Sequence, residues 1–286
     1  MIPLRDNIPS DHFPVVTVAI IALNVFVFLF LQGPSFSLSS GQEVKSKPII
    51  EYGAIPYRIT HPGDKCRFVE LKGGGPEQER LFCEKTAGFR EAASLPSCKS
   101  AAPGDVCRVN LTQPPAYLTI FTSMFMHGGW LHILFNMLFL WIFGNNIEDS
   151  MGRGRFTLFY LLGGLAAGVT QVAVSPDSTT PLVGASGAIA AVLGAYALLY
   201  PRARVLTLLL VFFIFLVEIP ALVLLGIWIF LQFLPAVGQL ASPDVGSQGG
   251  VAYFAHVGGF LFGLATIKLF AKRRSAAYGG PRYPVY

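Results

Sequence analysis

Six apolar runs punctuate the chain, at about 14–32, 129–147, 156–174, 184–200, 218–236 and 251–270. Each approaches the ~20 residues that a helix needs to cross ~30 Å of hydrocarbon, so the pattern predicts six membrane spans. Polar residues, glycines and prolines concentrate in one block, roughly 33–118, which reads as a single large loop after the first span. A further apolar stretch, 205–234, is a complication, because thirty residues of helix would extend ~45 Å, too far for one crossing. Glu218 and Pro220 divide it. We read 205–217 as an interfacial or re-entrant segment and the remainder as the fifth span, with Glu218 near the inner interface. A crossing that began at Val205 would put Glu218 near mid-membrane instead, where an ionisable group marks function.

Composition agrees with this picture. The 286 residues are 53% hydrophobic and only 13% charged, with a mean hydropathy of +0.56, which separates the chain from soluble enzymes. The first run carries no small-residue cleavage site and is expected to remain as a span rather than to be removed as a signal peptide. Outside the large loop there are ten Lys and Arg: Arg5, Arg153, Arg155, Arg202, Arg204, Lys268, Lys272, Arg273, Arg274 and Arg282. With six spans all ten fall on the side of the N-terminus, while the opposite loops, 175–183 and 237–250, contain none. The positive-inside rule then makes both termini cytoplasmic. The net charge of +5 therefore reflects membrane orientation, and nucleic acid is not an expected partner. The organisation is a cytoplasmic segment 1–13, a membrane domain 14–270 that includes the external loop 33–118, and a basic cytoplasmic tail 271–286. A prokaryotic cell membrane is the expected place.

All four cysteines, Cys66, Cys83, Cys98 and Cys107, lie in the external loop. An even number in a translocated segment favours two disulfides, with three pairings open. The absence of a C-x-x-C pair makes a zinc site the weaker reading.

Candidate chemistry sits within the spans. G-A-S-G-A-I-A, 184–190, opens the fourth run with Ser186, and A-H-V-G-G, 255–259, places His256 inside the sixth. In the second run His132 and Asn136 stand four apart and share one helix face. With this topology all four groups belong to the outer half of the membrane. Small residues recur at four-residue spacing as Ser186, Ala190, Gly194 and as Ala255, Gly259, Gly263, so the fourth and sixth helices can approach closely. That packing would bring His256 to Ser186 as a base to a nucleophile. Asn136, His132 and the Ser186 backbone N–H form the donor set for an oxyanion. No carboxylate occurs in the fourth or sixth span, so a Ser–His dyad without an acidic third member is expected. Taken singly, the small residues read as packing faces, His132 and Asn136 as interhelical hydrogen-bonding groups, and His127 as a capping or interfacial residue. His12 and His61 offer no constellation.

These stretches resemble the rhomboid family of intramembrane serine proteases. The matching pieces are G-A-S-G-A with Ser186, A-H-V-G-G with His256, H-I-L-F-N with His132 and Asn136, and G-N-N-I-E-D-S-M-G-R-G-R-F over 144–156. The similarity extends over about 1–32 and 115–272, in the family's order. It implies a six-span helical bundle, Ser186 as nucleophile, His256 as general base and acid, and His132 with Asn136 as oxyanion stabilisers. It also implies hydrolysis of transmembrane protein substrates within the lipid bilayer, with no metal and no cofactor. Gly144, Glu148, Gly152 and Arg155 match a turn after the second span; a structural role is expected, with Glu148 and Arg155 placed to pair. The fifth span and the 237–250 loop are expected to move as a gate for lateral substrate entry.

The chain departs from the family in two places. Many members carry an aromatic residue one turn after the serine, stacked on the histidine; here the position is Ala190, so Phe260 or Tyr253 is the expected substitute. The first loop lacks the family's Trp-Arg pair and is long and cysteine-bearing instead, so the resemblance implies neither its structure nor a substrate role for it. Two other classes of function stand beside hydrolysis: an inactive rhomboid-like protein that binds membrane clients, against which the retained Ser186 and His256 argue, and a small transporter, against which the absence of an inverted repeat argues.

Overall fold

The computed structural model describes residues 1–34, 46–64, 66–70, 79–83, 85, 114–210, 214–241 and 251–272. Five of its helices are long and apolar enough to cross a membrane. The first, α1 (Val15–Phe26), continues as a π-helical turn over Val27–Gln32. After two short helices of the large loop, α2 (Ser46–Tyr52) and α3 (Pro56–Thr60), and a short α4 (Thr119–Ser123), come α5 (Trp130–Met151) and α6 (Arg153–Val174). Helices α8 (Ala221–Ala241) and α9 (Tyr253–Phe270) complete the five. The chain is thus a mostly helical, multi-pass integral membrane protein.

The remaining apolar helix, α7 (Ser186–Leu199), has 14 residues and is about 21 Å long, shorter than the ~30 Å hydrocarbon layer. It is the core of the bundle, since every residue from Ala188 to Ala197 is buried. The long helices around it each leave large apolar side chains exposed, such as Phe30, Leu134, Leu158, Phe230 and Leu261. In a bilayer that surface faces lipid.

Backbone proximity between α7 and α9 is set by glycine. A Cβ placed on Gly259 would meet the carbonyl of Gly187, one on Gly263 that of Ala191, and one on Gly194 that of Phe260. The two helices therefore touch main chain to main chain along the small-residue stripes. Toward the end of α7 away from Ser186, aromatic side chains cluster, with Phe143 edge-on to Tyr196 at 4.9 Å and Phe159 edge-on to Phe270 at 5.3 Å.

Strands add to the helices. β1 (Ile2–Asp6), β4 (Arg204–Leu210) and β5 (Ile214–Pro220) form an antiparallel sheet in the order β1-β4-β5. Of the segment 205–217, expected to be interfacial or re-entrant, residues 205–210 and 214–217 lie in two paired antiparallel strands. Uniform apolarity hid the hairpin, because neither face alternates with polar residues. Glu218 is exposed on β5 and pairs with Arg204 at 3.4 Å, and the following membrane-length helix starts only at Ala221. In the large loop β2 (Cys66–Glu70) pairs with β3 (Glu79–Cys83), and a disulfide joins Cys66 to Cys83. Cys98 and Cys107 lie outside the described residues. The loop is docked on the bundle: Ala54 and Leu182 exchange backbone hydrogen bonds, and Thr122 donates to the Tyr52 carbonyl at 2.6 Å.

The end of α5 gathers the N-terminal segments. Glu148, 3% exposed, accepts hydrogen bonds from the backbone N–H groups of Val16 and Thr17 at 2.9 and 2.7 Å and from the Thr17 hydroxyl at 2.8 Å. It thereby satisfies orphan donors at the start of α1. The expected Glu148–Arg155 pair does not form, because Glu148 is already saturated and Arg155 donates to the Phe270 carbonyl at 3.3 Å. Gly144 gives Thr17 room, and Gly152 ends α5 at φ +80°, which favours glycine. His12, without a constellation in the sequence, lies 2.8 Å from Asp149. Asp6 accepts from the Tyr196 hydroxyl and from Asn146 at 2.7 Å. Burial raises its carboxyl to about 6 despite these donors.

Two outcomes follow for stability, both read by thermal unfolding of the purified protein in detergent. Glu148→Ala leaves three donors, two of them buried, without this acceptor and is expected to destabilise by about 2–4 kcal/mol; an unchanged Tm would show that α1 is held elsewhere. For Asp6 the folded pKa lies above the unfolded one, so the folded state holds the proton more tightly. Stability is then highest below pH ~4 and falls as pH rises to ~6, and Asp6→Asn is expected to flatten that slope.

Candidate active site

Four helices contribute the site. Ser186 is the first residue of α7 and half-buried. It follows Gly184, whose φ of +122° turns the chain sharply into the helix and whose N–H donates to the Ser123 carbonyl at 2.9 Å. From α9, whose N-terminal Ala255 N–H donates to Gln171 of α6 at 3.2 Å, His256 reaches across. Its Nε2 lies 2.8 Å from Ser186 Oγ. The glycine contacts between α7 and α9 carry this distance, since a helix pair held apart by side chains would not close it.

The second nitrogen of His256 is also occupied. Nδ1 lies 2.8 Å from Oε1 of Gln232 on α8, and the Trp228 ring, one turn earlier on the same helix, stands 5.8 Å from the imidazole at 38°. The aromatic neighbour expected from Phe260 or Tyr253 is therefore Trp228, which in turn lies 6.3 Å from Phe260. Sequence reasoning missed both residues of α8. Gln232 had a legible signal, as the only polar residue besides Trp228 between Ala221 and Ala236.

On α5, His132 packs against the turn before Ser186: a Cβ on Gly184 would come within 2.7 Å of His132 Nε2 and 3.6 Å of Ser186 Oγ. The Gly128 N–H donates to His132 Nδ1 at 3.2 Å, so the proton of the neutral ring is on Nε2, the nitrogen that faces the turn. Asn136, one turn further along α5, is buried, and its Nδ2 has no protein acceptor among the described residues. A buried amide N–H₂ in this state is a donor in reserve.

His127 is buried rather than interfacial, with its ring edge-on to His132 at 5.1 Å. Burial, and then the neighbouring His132, push its imidazole down to about 3, so it is neutral. Its backbone is fixed by Gln32, which accepts from the His127 N–H at 2.8 Å and donates to the His127 carbonyl at 2.6 Å. The last turn of α1 thus sets the start of α5. Among the described residues no group of three or more His, Cys, Asp or Glu is arranged to hold a metal ion.

Chemically, the arrangement offers a hydroxyl against an imidazole, two N–H donors on a neighbouring helix, and a neutral partner behind the imidazole. Comparison with known proteins leads to the same place. The chain is 29% identical over 151 residues to "Rhomboid protein 1, mitochondrial" of Saccharomyces cerevisiae, covering 51% of this chain and 40% of the relative. It is 42% identical over 81 residues to "Rhomboid protease GluP" of Bacillus subtilis, covering 28% and 15%. "Inactive rhomboid protein 1" of Drosophila melanogaster is 29% identical over 117 residues, covering 40% and 8%. The chain spans less than half the length of each of these relatives. The Rhomboid domain model matches residues 114–273, more than half of the chain and a stretch that holds His132, Asn136, Ser186 and His256 together, so the chain belongs to the rhomboid family.

Proposed function

We propose that the chain is an intramembrane serine endopeptidase that hydrolyses peptide bonds in or near transmembrane segments of membrane-protein substrates. The observation that carries the reading is the 2.8 Å contact of Ser186 Oγ with His256 Nε2 inside a membrane bundle. Ser186 attacks the scissile carbonyl carbon as its proton passes to His256 Nε2. The resulting oxyanion accepts from Asn136 Nδ2, His132 Nε2–H and the Ser186 backbone N–H, each donor worth about 3 kcal/mol in such sites. As the C–N bond breaks, His256 returns the proton to the departing amine, leaving an acyl-enzyme on Ser186. Water then attacks the ester carbonyl with His256 as base, and the carboxylic acid leaves as the serine is reprotonated. No step draws on a metal or cofactor.

The short α7 supports access of water, because a helix of about 21 Å places its serine end below the surface of the hydrocarbon when its other end reaches the opposite side. In this reading β1 and the basic residues 153–155 and 202–204 lie on the cytoplasmic side with both termini, and the disulfide-bearing loop lies outside. The membrane is that of a prokaryotic cell. Substrates enter laterally between α8 and α5; a cross-link joining these two helices is expected to stop cleavage of membrane substrates, and unimpaired cleavage would exclude this route.

Labelling by a fluorophosphonate tests the chemistry. The detergent-solubilised protein is expected to be labelled, and Ser186→Ala and His256→Ala each to abolish it. A folded protein that resists labelling in both detergent and lipid would favour an inactive client-binding role; the Drosophila relative is likewise named inactive.

A further inference from the structure

We propose that Gln232 is a positioning residue for the serine chemistry: its side-chain carbonyl accepts the Nδ1–H of His256 and fixes the one neutral tautomer whose Nε2 lone pair faces the Ser186 hydroxyl. The inference rests on the protease reading for its consequence, though not for its geometry.

A neutral imidazole carries one proton on either nitrogen, and only the form with hydrogen on Nδ1 can take a proton from serine at Nε2. The serine hydroxyl does not choose between them, because it can donate or accept. The choice falls to the partner at Nδ1. An amide oxygen only accepts, and Gln232 Oε1 lies 2.8 Å from Nδ1, so the proton is held there. With the amide turned over, its N–H₂ would donate to Nδ1, the proton would move to Nε2, and the base would be blocked.

Among the described residues no charged side chain bonds to the His256 ring. Ser186 of α7 and Gln232 and Trp228 of α8 touch or face the ring, and the titratable group that acts on it is His132 of α5. An aspartate at this place would add attraction for the imidazolium but would carry a charge within the bilayer, at a cost of several kcal/mol. An amide fixes the tautomer without that charge. Its position is also unusual for its helix: Gln232 sits in an otherwise apolar stretch with lipid-facing neighbours Phe230, Leu231, Phe233 and Leu234, yet is itself half-buried and turned to the histidine.

The test compares the full-length protein with Gln232→Leu and Gln232→Met, which keep most of the side-chain volume and remove the acceptor. Fluorophosphonate labelling rates are measured from pH 5 to 9, with Ser186→Ala as background. The ¹⁵N spectrum of histidine-labelled protein is recorded alongside, the His256 signals being identified by their loss in His256→Gln. Expected are a Nδ1–H tautomer of His256 in the parent protein, a mixed or reversed tautomer in the variants, and labelling slower by about 10- to 100-fold, the range for losing a histidine's orienting partner. A packing role alone would leave the tautomer unchanged. Variants that label at the parent rate, or a parent His256 protonated at Nε2, would overturn the proposal. Should the parent protein fail to label, the protease reading falls, while the tautomer spectra still decide the pairing of Gln232 with His256.

Discussion

The contact on which the rest depends is the main-chain approach of α7 to α9. Hydrophobic burial does not drive helices together within lipid, since lipid tails are as apolar as the side chains; close van der Waals packing and polar contacts do. Here Gly194, Gly259 and Gly263 remove every Cβ that would hold the two backbones apart. One consequence is a dense centre in which α7 is buried along nearly its whole length. The other is chemical: two helices at this spacing let a serine on one and a histidine on the other meet at 2.8 Å.

Around that centre, three buried polar side chains close helix ends. Glu148 closes the start of α1, Gln32 fixes the backbone before α5, and Gln171 caps α9. Unpaired polar groups are costly in a bilayer, which is why these three side chains bond to main-chain groups at helix ends. Against this background the free Nδ2 of Asn136 stands out. A buried donor left unpaired one turn from His132, on the helix face turned to the serine, has the character of a site that waits for an acceptor, as an oxyanion would be.

The histidine is held from three directions: by its own helix, by Ser186 in front and by α8 behind. Trp228 and Gln232 stand one turn apart on α8, one against the ring face and the other at Nδ1. Replacement of an aromatic residue on α7 by Ala190 lets α9 come closer, since a Cβ on Gly259 would already touch Ala190 at 3.3 Å. The stacking partner is then supplied by a different helix. Tight packing of α7 against α9 and support of His256 from α8 are thus two sides of one arrangement.

Much of this was legible in the sequence. Long apolar runs fix helices that must satisfy their own backbone in lipid, small residues at four-residue spacing fix a close face, and a histidine within hydrocarbon demands a purpose. Those rules act locally along the chain, so the long spans, the glycine contacts and the meeting of Ser186 with His256 could be anticipated from residues alone. The β-hairpin after α7 could not, because its strands are apolar on both faces and only pairing with the distant β1 distinguishes them from helix. Nor could the partners of Glu148 and His256 be read off, since a side chain in a helix can turn to several neighbours and only the packed bundle chooses among them. Sequence determined which groups were placed in the membrane; the tertiary structure decided which of them touch, because hydrogen bonds are settled by distances of tenths of an ångström that no periodicity encodes.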